Sequence, residues 1–393
     1  MKEKLKKIAS LFIIIGIMVT TTSCQSKVDI QDLAIVMAMA VDYNDQGKYR
    51  VVYQIFTAST FPGGSGVSLE SSSGGVVVPT FQGIGGTLAE AMHDMEERIG
   101  KKIHFGQIKV VIIGQKAGER GISPIIDALS RLPEIKTNVP IYVTKGEAKK
   151  IITQKTHEDT ITANVIDNMV LRQIYAGMHP VVYLAHIADE LSSKHNVVPV
   201  LGVINTSEKI NVSDSSIFKL DGMAVFREDK LIGYLDQKIT LGYQYIKGDA
   251  KVFTTPVRLR DGHKATLRLH GCKSKIKTVI TNGKPEVYIN LDVKSILMDI
   301  TGERDFLKNP ELLQELESLH EKMVKDTVNE TIRAAKEDVK IDFLGVGDVI
   351  YRQHPKEYEK IKDKWQELFL DVPIKVTVNV IVKDTGLLYK PIY

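Results

Sequence analysis

The residue whose chemistry stands out is Cys24, which directly follows Thr21-Thr22-Ser23 at the end of a short apolar run. Residues 1–7 carry four lysines and one glutamate, and Leu11 to Val19 is apolar apart from Gly16. A basic start, a short apolar run and a small-residue cleavage zone together describe a secretory signal. The run is too short to cross a bilayer, which takes about 20 residues. A cysteine placed immediately after such a zone looks like the lipobox of a bacterial lipoprotein, although Thr21 stands where leucine is usual. The expected chemistry is transfer of diacylglycerol to the thiol and cleavage between Ser23 and Cys24. Acyl chains, at about 0.8 kcal/mol per buried methylene, would then hold the mature chain on a membrane. The alternative is a plain secretory signal followed by a coincidental cysteine.

Other residues offer less. His270-Gly-Cys272 supplies two of the four ligands that a structural metal site needs, and reads better as a thiol within a strand. Glu96-Glu97 and Asp189-Glu190 are adjacent pairs, which on a helix point in different directions and read as solvated charge. His104, between Ile103 and Phe105, reads as a hydrogen-bonded, half-buried histidine rather than a base. Gly83-Ile-Gly85-Gly86-Thr87 invites a dinucleotide-loop reading, but Leu88 occupies the third glycine position and no acidic ribose partner follows at the usual distance. Thr87-Leu-Ala-Glu90 is instead a capping box, opening a helix with Ala91, Met92, Met95 and Ile99 on one face and Gly100 at its end. The chain has no HExxH, CxxC, P-loop or GxSxG motif, and its ten histidines show no metal spacing. Neither a catalytic set, a metal nor a cofactor is expected.

Composition agrees with an exported, anchored chain. Removing residues 1–23 takes away four lysines and one glutamate, so the net charge falls from +4 to about +1. No nucleic-acid partner is called for. With Cys24 acylated, Cys272 is the single remaining thiol, so no internal disulfide can form. The chain of 393 residues is long enough for two or three domains.

The elements follow from periodicity. Val28 to Asp42 and Tyr49 to Phe56 flank an Asn/Asp/Gly turn and predict an antiparallel hairpin. Residues 61–75, rich in glycine and serine, predict a loop or tether. Strands at Lys109 to Gly114 and Val139 to Val143, with a helix at Ile122 to Leu132 between them, imply a layered α/β unit with parallel pairing. Gly222 to Phe226 and Leu231 to Leu235 form a strand, turn and strand. Three further strands are expected at Lys264 to His270, Ser274 to Thr281 and Val287 to Asp299, the last two joined by Asn282-Gly283. Asn309-Pro310-Glu311 starts a long helix whose stripe is Leu312, Leu316, Leu319, Met323, Val328, Ile332 and Ala335. Ile374 to Val382 alternates as a half-buried strand. Gly345 and Gly347 allow a turn, and Asp348 is placed to cap the helix that follows. The fold class is α+β and multi-domain, with mixed β-sheets packed against helices. Its expected units are a signal at 1–23, an α/β domain at 24–195, a middle hairpin domain at 196–260 and an α+β domain at 261–393.

Several blocks, in order, resemble the Ger(x)C family, the lipoprotein C subunits of spore germinant receptors. They are Asp32-Leu-Ala-Ile-Val36 through Asp42, Gly86-Thr87-Leu88 through Arg98, Lys102 to Lys109, and Gly222 to Phe226 with Gly233-Tyr-Leu235. The most specific is the tail: Asp342-Phe-Leu-Gly345-Val-Gly347, Tyr351-Arg352, His354-Pro355, Trp365 and Phe369, ending near Thr385-Gly386. Gln25 stands where the family commonly has tryptophan. The resemblance implies a lipid-anchored, non-enzymatic subunit on the outer face of the spore inner membrane, beside two integral-membrane partner subunits and required for the response to small nutrients. Trp365 is expected as a core anchor, with Trp365 and Tyr351 as the alternative contact for a membrane partner. A solute-binding lipoprotein of a transporter would need two similar lobes around a cleft, and a surface hydrolase a nucleophile or metal set.

Overall fold

The computed structural model describes residues 29–56, 78–154, 156, 159–193, 198–207, 217–302 and 311–384. The signal segment with Ser23 and Cys24, the glycine- and serine-rich stretch 61–75, the Asn309-Pro310 helix start and Thr385-Gly386 lie outside the described residues.

The first half is one mixed sheet. β1 (Leu33–Tyr43) and β2 (Tyr49–Phe56) form the antiparallel hairpin, and the Asn44 side chain closes its turn by accepting the Gln46 and Lys48 N–H groups at 3.1 and 2.9 Å. β3 (Thr80–Gly85) pairs with β2, and α1 (Leu88–Glu96) folds back over it. Thr87 Oγ1 accepts the Glu90 N–H at 3.1 Å. Glu90 Oε2 accepts the Gly86 N–H at 2.8 Å, so the box closes one residue before the cap. Ala91, Met92 and Met95 are buried, and the helix stops at Glu96 rather than Gly100.

β4 (Lys102–His104) and β5 (Val110–Ile113) run parallel to β1. α2 (Gln115–Arg120) and α3 (Ser123–Ser130) then lead to β6 (Pro140–Val143), parallel to β5. α4 (Lys149–Ile152), α5 (Thr162–Ala176), β7 (Val182–Tyr183) and α6 (Leu184–Ser192) lead to β8 (Val200–Ser207), parallel to β6. β9 (Ile217–Arg227) and β10 (Lys230–Leu235) finish the edge, giving the order β10-β9-β8-β6-β5-β1-β2-β3. The parallel centre is covered on both faces, as parallel sheets require. Val111 and Ile113 enter one core with Met39 and Ile125, while Val110 and Ile112 enter the other with Ala40 and Ile166.

The second half begins with α7 (Gln237–Lys247), capped by Asp236, whose Oδ1 accepts the Ile239 N–H at 2.9 Å. β11 (Thr254–Arg258), β12 (Lys264–Thr281), β13 (Lys284–Ile300) and β14 (Ile374–Asp384) form a four-stranded sheet in that order, with β13 and β14 parallel. α8 (Glu311–Arg333) lies along this sheet and runs into a π-helical turn, Ala334–Asp338. α9 (Val346–Gln353), α10 (Pro355–Ile361) and α11 (Trp365–Asp371) lead into β14.

Three further expectations about the elements need correction. The segment 196–260 is not a separate hairpin unit, because β8 to β10 extend the first sheet. β8 is apolar on both faces, with Leu201 and Val203 in one core and Ile204 in another, and only an interior sheet position buries both. The strands placed at 264–270 and 274–281 are one continuous β12, since Gly271, at φ 140°, sits in a register shift that keeps the ladder intact. On α8 the buried stripe passes through His320 and Val324, leaving Met323 39% exposed. It keeps the four-residue step Leu312, Leu316, His320, Val324, Val328 and includes a polar residue that an apolar count passes over.

Candidate functional site

The signature residues of the tail converge on one carboxylate. Asp342 is 3% exposed, and its Oδ1 accepts the Val346 N–H at 3.0 Å while Oδ2 accepts the Gly347 N–H at 2.7 Å. Oδ2 also accepts the Trp365 Nε1–H at 2.8 Å, and the Asp342 N–H donates to Gln366 Oε1 at 2.9 Å. One buried side chain thus holds the start of α9 and the start of α11, satisfying helix donors that would otherwise be orphaned. Burial pushes the Asp342 carboxyl up, against the opposing pull of its three donors and the Lys247 ammonium. Asp348, expected as the cap, instead pairs with Arg352 at 2.9 Å one turn on. Gly347 is required by contact: a Cβ there would lie 2.5 Å from Trp365 Nε1.

Trp365 is 1% exposed and stacks in a tilted chain with Tyr358 and Phe369 at 6.2 and 6.1 Å between centroids. Its indole therefore presents no outer surface. Tyr351 is half-buried and meets Tyr358 edge-on at 5.9 Å, so it keeps part of a face outside. The cluster is clipped to β12: Gln353 Oε1 accepts the Thr278 N–H at 2.8 Å, and His354 Nε2 lies 3.0 Å from the Thr278 carbonyl.

The remaining candidate residues do not converge. Glu96 and Glu97 are exposed on α1 near His93. His104 Nδ1 lies 3.4 Å from Glu134 and is partly exposed. His270 is exposed and Cys272 buried, so they share no metal, and burial pushes the Cys272 thiol up to about 12. Gly83 and Gly85 let α1 pack on β3, since Cβ atoms there would meet Ala91 backbone atoms at 1.9 and 2.4 Å. Ser295 Oγ and His320 Nδ1 are 3.0 Å apart, but both are buried at 0% and 1% exposure, and burial pushes His320 down to about 4. Among the described residues, no group of three or more His, Cys, Asp or Glu is placed to hold a metal ion.

Asp189 and Glu190 diverge: Asp189 faces solvent, whereas Glu190 turns into a cavity of about 630 Å³ between the edge of the first sheet and the C-terminal helices. Arg227, Asp229, Lys340 and Gln366 also line it. Glu228 and Lys340, on its rim, hold φ of 56° and 55°, a strained region for residues with a β-carbon. Glu190 Oε2 is buried without a hydrogen-bond partner among the described residues, and burial pushes its carboxyl up to about 7. The solvated reading fails for Glu190, and Asp342 enters the sequence only as part of the tail block, because the surfaces each meets are distant in the chain. The one available signal was the clustering of Asp342, Gly345 and Gly347 ahead of a helix.

The fold and its signature residues define a two-sheet α+β protein whose motif builds a buried structural knot. The family model "Spore germination protein N-terminal domain" matches residues 26–206, and "Spore germination B3/GerAC like, C-terminal" matches residues 221–386. The chain belongs to this Ger(x)C family of spore germination proteins. It is 26% identical to spore germination protein KC of Bacillus subtilis over 396 residues, covering 94% of this chain and 93% of that one. It is 22% identical to spore germination protein B3 of the same organism, covering 97% and 99%. The crystal structure of the GerBC protein superposes with a TM-score of 0.56 at 18% identity, over 90% of this chain and 99% of that one, which shows a shared fold.

Proposed function

We propose that this chain is a lipid-anchored, non-enzymatic subunit of a nutrient germinant receptor, held on the outer leaflet of the spore inner membrane by Cys24. It couples or stabilises two integral-membrane partner subunits. The observation that carries the reading is the match of both family models, in order, along nearly the whole chain. The basic, apolar and small-residue approach to Cys24 supports the anchor, and no helix among the described residues is long and apolar enough to cross a membrane. The burial of Ser295, His320 and Cys272 supports a role without catalysis.

The test is germination of spores lacking the chain, and of spores carrying Cys24→Ala, against a nutrient panel and a non-nutrient trigger. Loss of response to one nutrient class with a normal non-nutrient response is expected. Normal nutrient responses in the deletion strain would overturn the assignment, and full membrane retention of the Cys24→Ala protein would overturn the anchor. The cavity at Glu190 supports a second reading, direct binding of a solute. Ligand-dependent thermal stabilisation of the purified mature chain would favour it.

A further inference from the structure

We infer that the pole of the first sheet where β1 begins is a lipid-contacting face, seated on the headgroup layer of the bilayer. This inference deepens the Cys24 anchor and rests on that reading. Asp29, the first described residue, is five residues beyond Cys24, so the connecting chain spans at most about 17 Å. β1 starts at Leu33 and runs for 11 residues, placing the opposite pole about 36 Å farther from the anchor. A tether that short brings the Leu33 end of the sheet to the membrane and leaves the Asn44 turn distant from it.

The exit point is fixed to the fold. A single 3-10 turn, Ile30–Asp32, precedes β1, and Lys101 Nζ donates to the Gln31 carbonyl at 2.7 Å. Lys102 pairs in register with Leu33, so both lysines sit at the same pole. Ile30 is 68% exposed there, an apolar side chain at the point where the tether leaves. Lys101 also lines a cavity of about 440 Å³, whose apolar lining includes Ile103, Phe105 and Leu132 and whose charged lining is Lys101, Lys102, Glu96 and Glu134. An apolar lining that also carries two amines and two carboxylates fits the headgroup and upper acyl region of a zwitterionic phospholipid.

The experiment attaches the mature chain to vesicles without relying on acylation. A hexahistidine tag replaces Cys24, and the vesicles contain phosphatidylglycerol, phosphatidylethanolamine, a nickel-chelating lipid and a headgroup-nitroxide lipid. A fluorophore is placed at Gln31→Cys or Lys48→Cys, both exposed and at opposite poles, while Cys272 stays buried. Quenching at position 31 is expected to exceed that at position 48 several-fold. Adding Ile30→Asp with Lys102→Glu, both at exposed positions, is expected to lower it at least two-fold with an unchanged circular dichroism spectrum. Equal or stronger quenching at position 48, or a signal at position 31 that ignores the double substitution, overturns the inference. Mass spectrometry of the native amino-terminal peptide reads the acylation separately. An unmodified Cys24 would therefore defeat the anchor without deciding the vesicle result.

Discussion

Asp342 concentrates more of the local energy than any exposed charge near it. Replacing it with alanine strands three buried donors, at roughly 1–3 kcal/mol each, but also relieves the desolvation of the buried carboxyl, so Asp342→Ala is expected to cost about 3–5 kcal/mol. Trp365, the single tryptophan, reports the loss directly as a lower urea midpoint by fluorescence. Gly347→Ala drives a methyl onto the same indole and is expected to cost about 2–3 kcal/mol in that assay. Buried His320 and half-buried Glu190 give opposite pH slopes. The folded state holds His320 down at about 4 from 6.5, so its stabilisation is complete above pH 6.5 and is lost as pH falls through 4. Glu190, raised to about 7 from 4.5, contributes most below pH 4.5 and loses that contribution as pH rises through 7. Urea midpoints across pH 4–8 should therefore show Glu190→Gln more stable than the parent at pH 8. A midpoint for Glu190→Gln below the parent's at pH 8 would sink this assignment.

At the scale of elements, signals held within a few residues were readable. Asn282 and Gly283 adopt φ of 52° and 76° between Thr281 and Lys284, the paired positive values that a two-residue hairpin turn needs. Gly283→Ala is expected to cost about 1–2 kcal/mol, seen as a lower thermal midpoint, because a β-carbon opposes that conformation. The Asn44 turn, the Thr87 cap and the alternation of β14 were legible for the same reason. The gap expected between His270 and Ser274 is absent because Gly271 forms a bulge within a continuous ladder, and a bulge and a strand end share the same local signal. The stripe of α8 was misread at His320, whose burial depends on Ser295 of β13 standing opposite.

The two sheets of the whole molecule are not independent. Val200, Met223 and Val225 of the first sheet belong to the same core as Tyr245, Val328 and Trp365. A chain ending at residue 236 would expose that face, and is expected to aggregate or melt well below the full-length protein in calorimetry. Equal melting of the two would show separate folding units. At this scale too, Cys24→Ala should move the chain from the membrane to the soluble fraction after cell breakage, with its fold unchanged.

The sequence by itself determined the local turns and caps, the alternating and helical faces, and the blocks by which the family is recognised. Each of these depends on residues close in the chain or on their order along it. Tertiary structure alone decided that β8 to β10 join the first sheet, that Asp342 meets Trp365, and that Glu190 turns inward. Those outcomes depend on which distant apolar surfaces bury each other and which buried donors find an acceptor, and no local pattern encodes either.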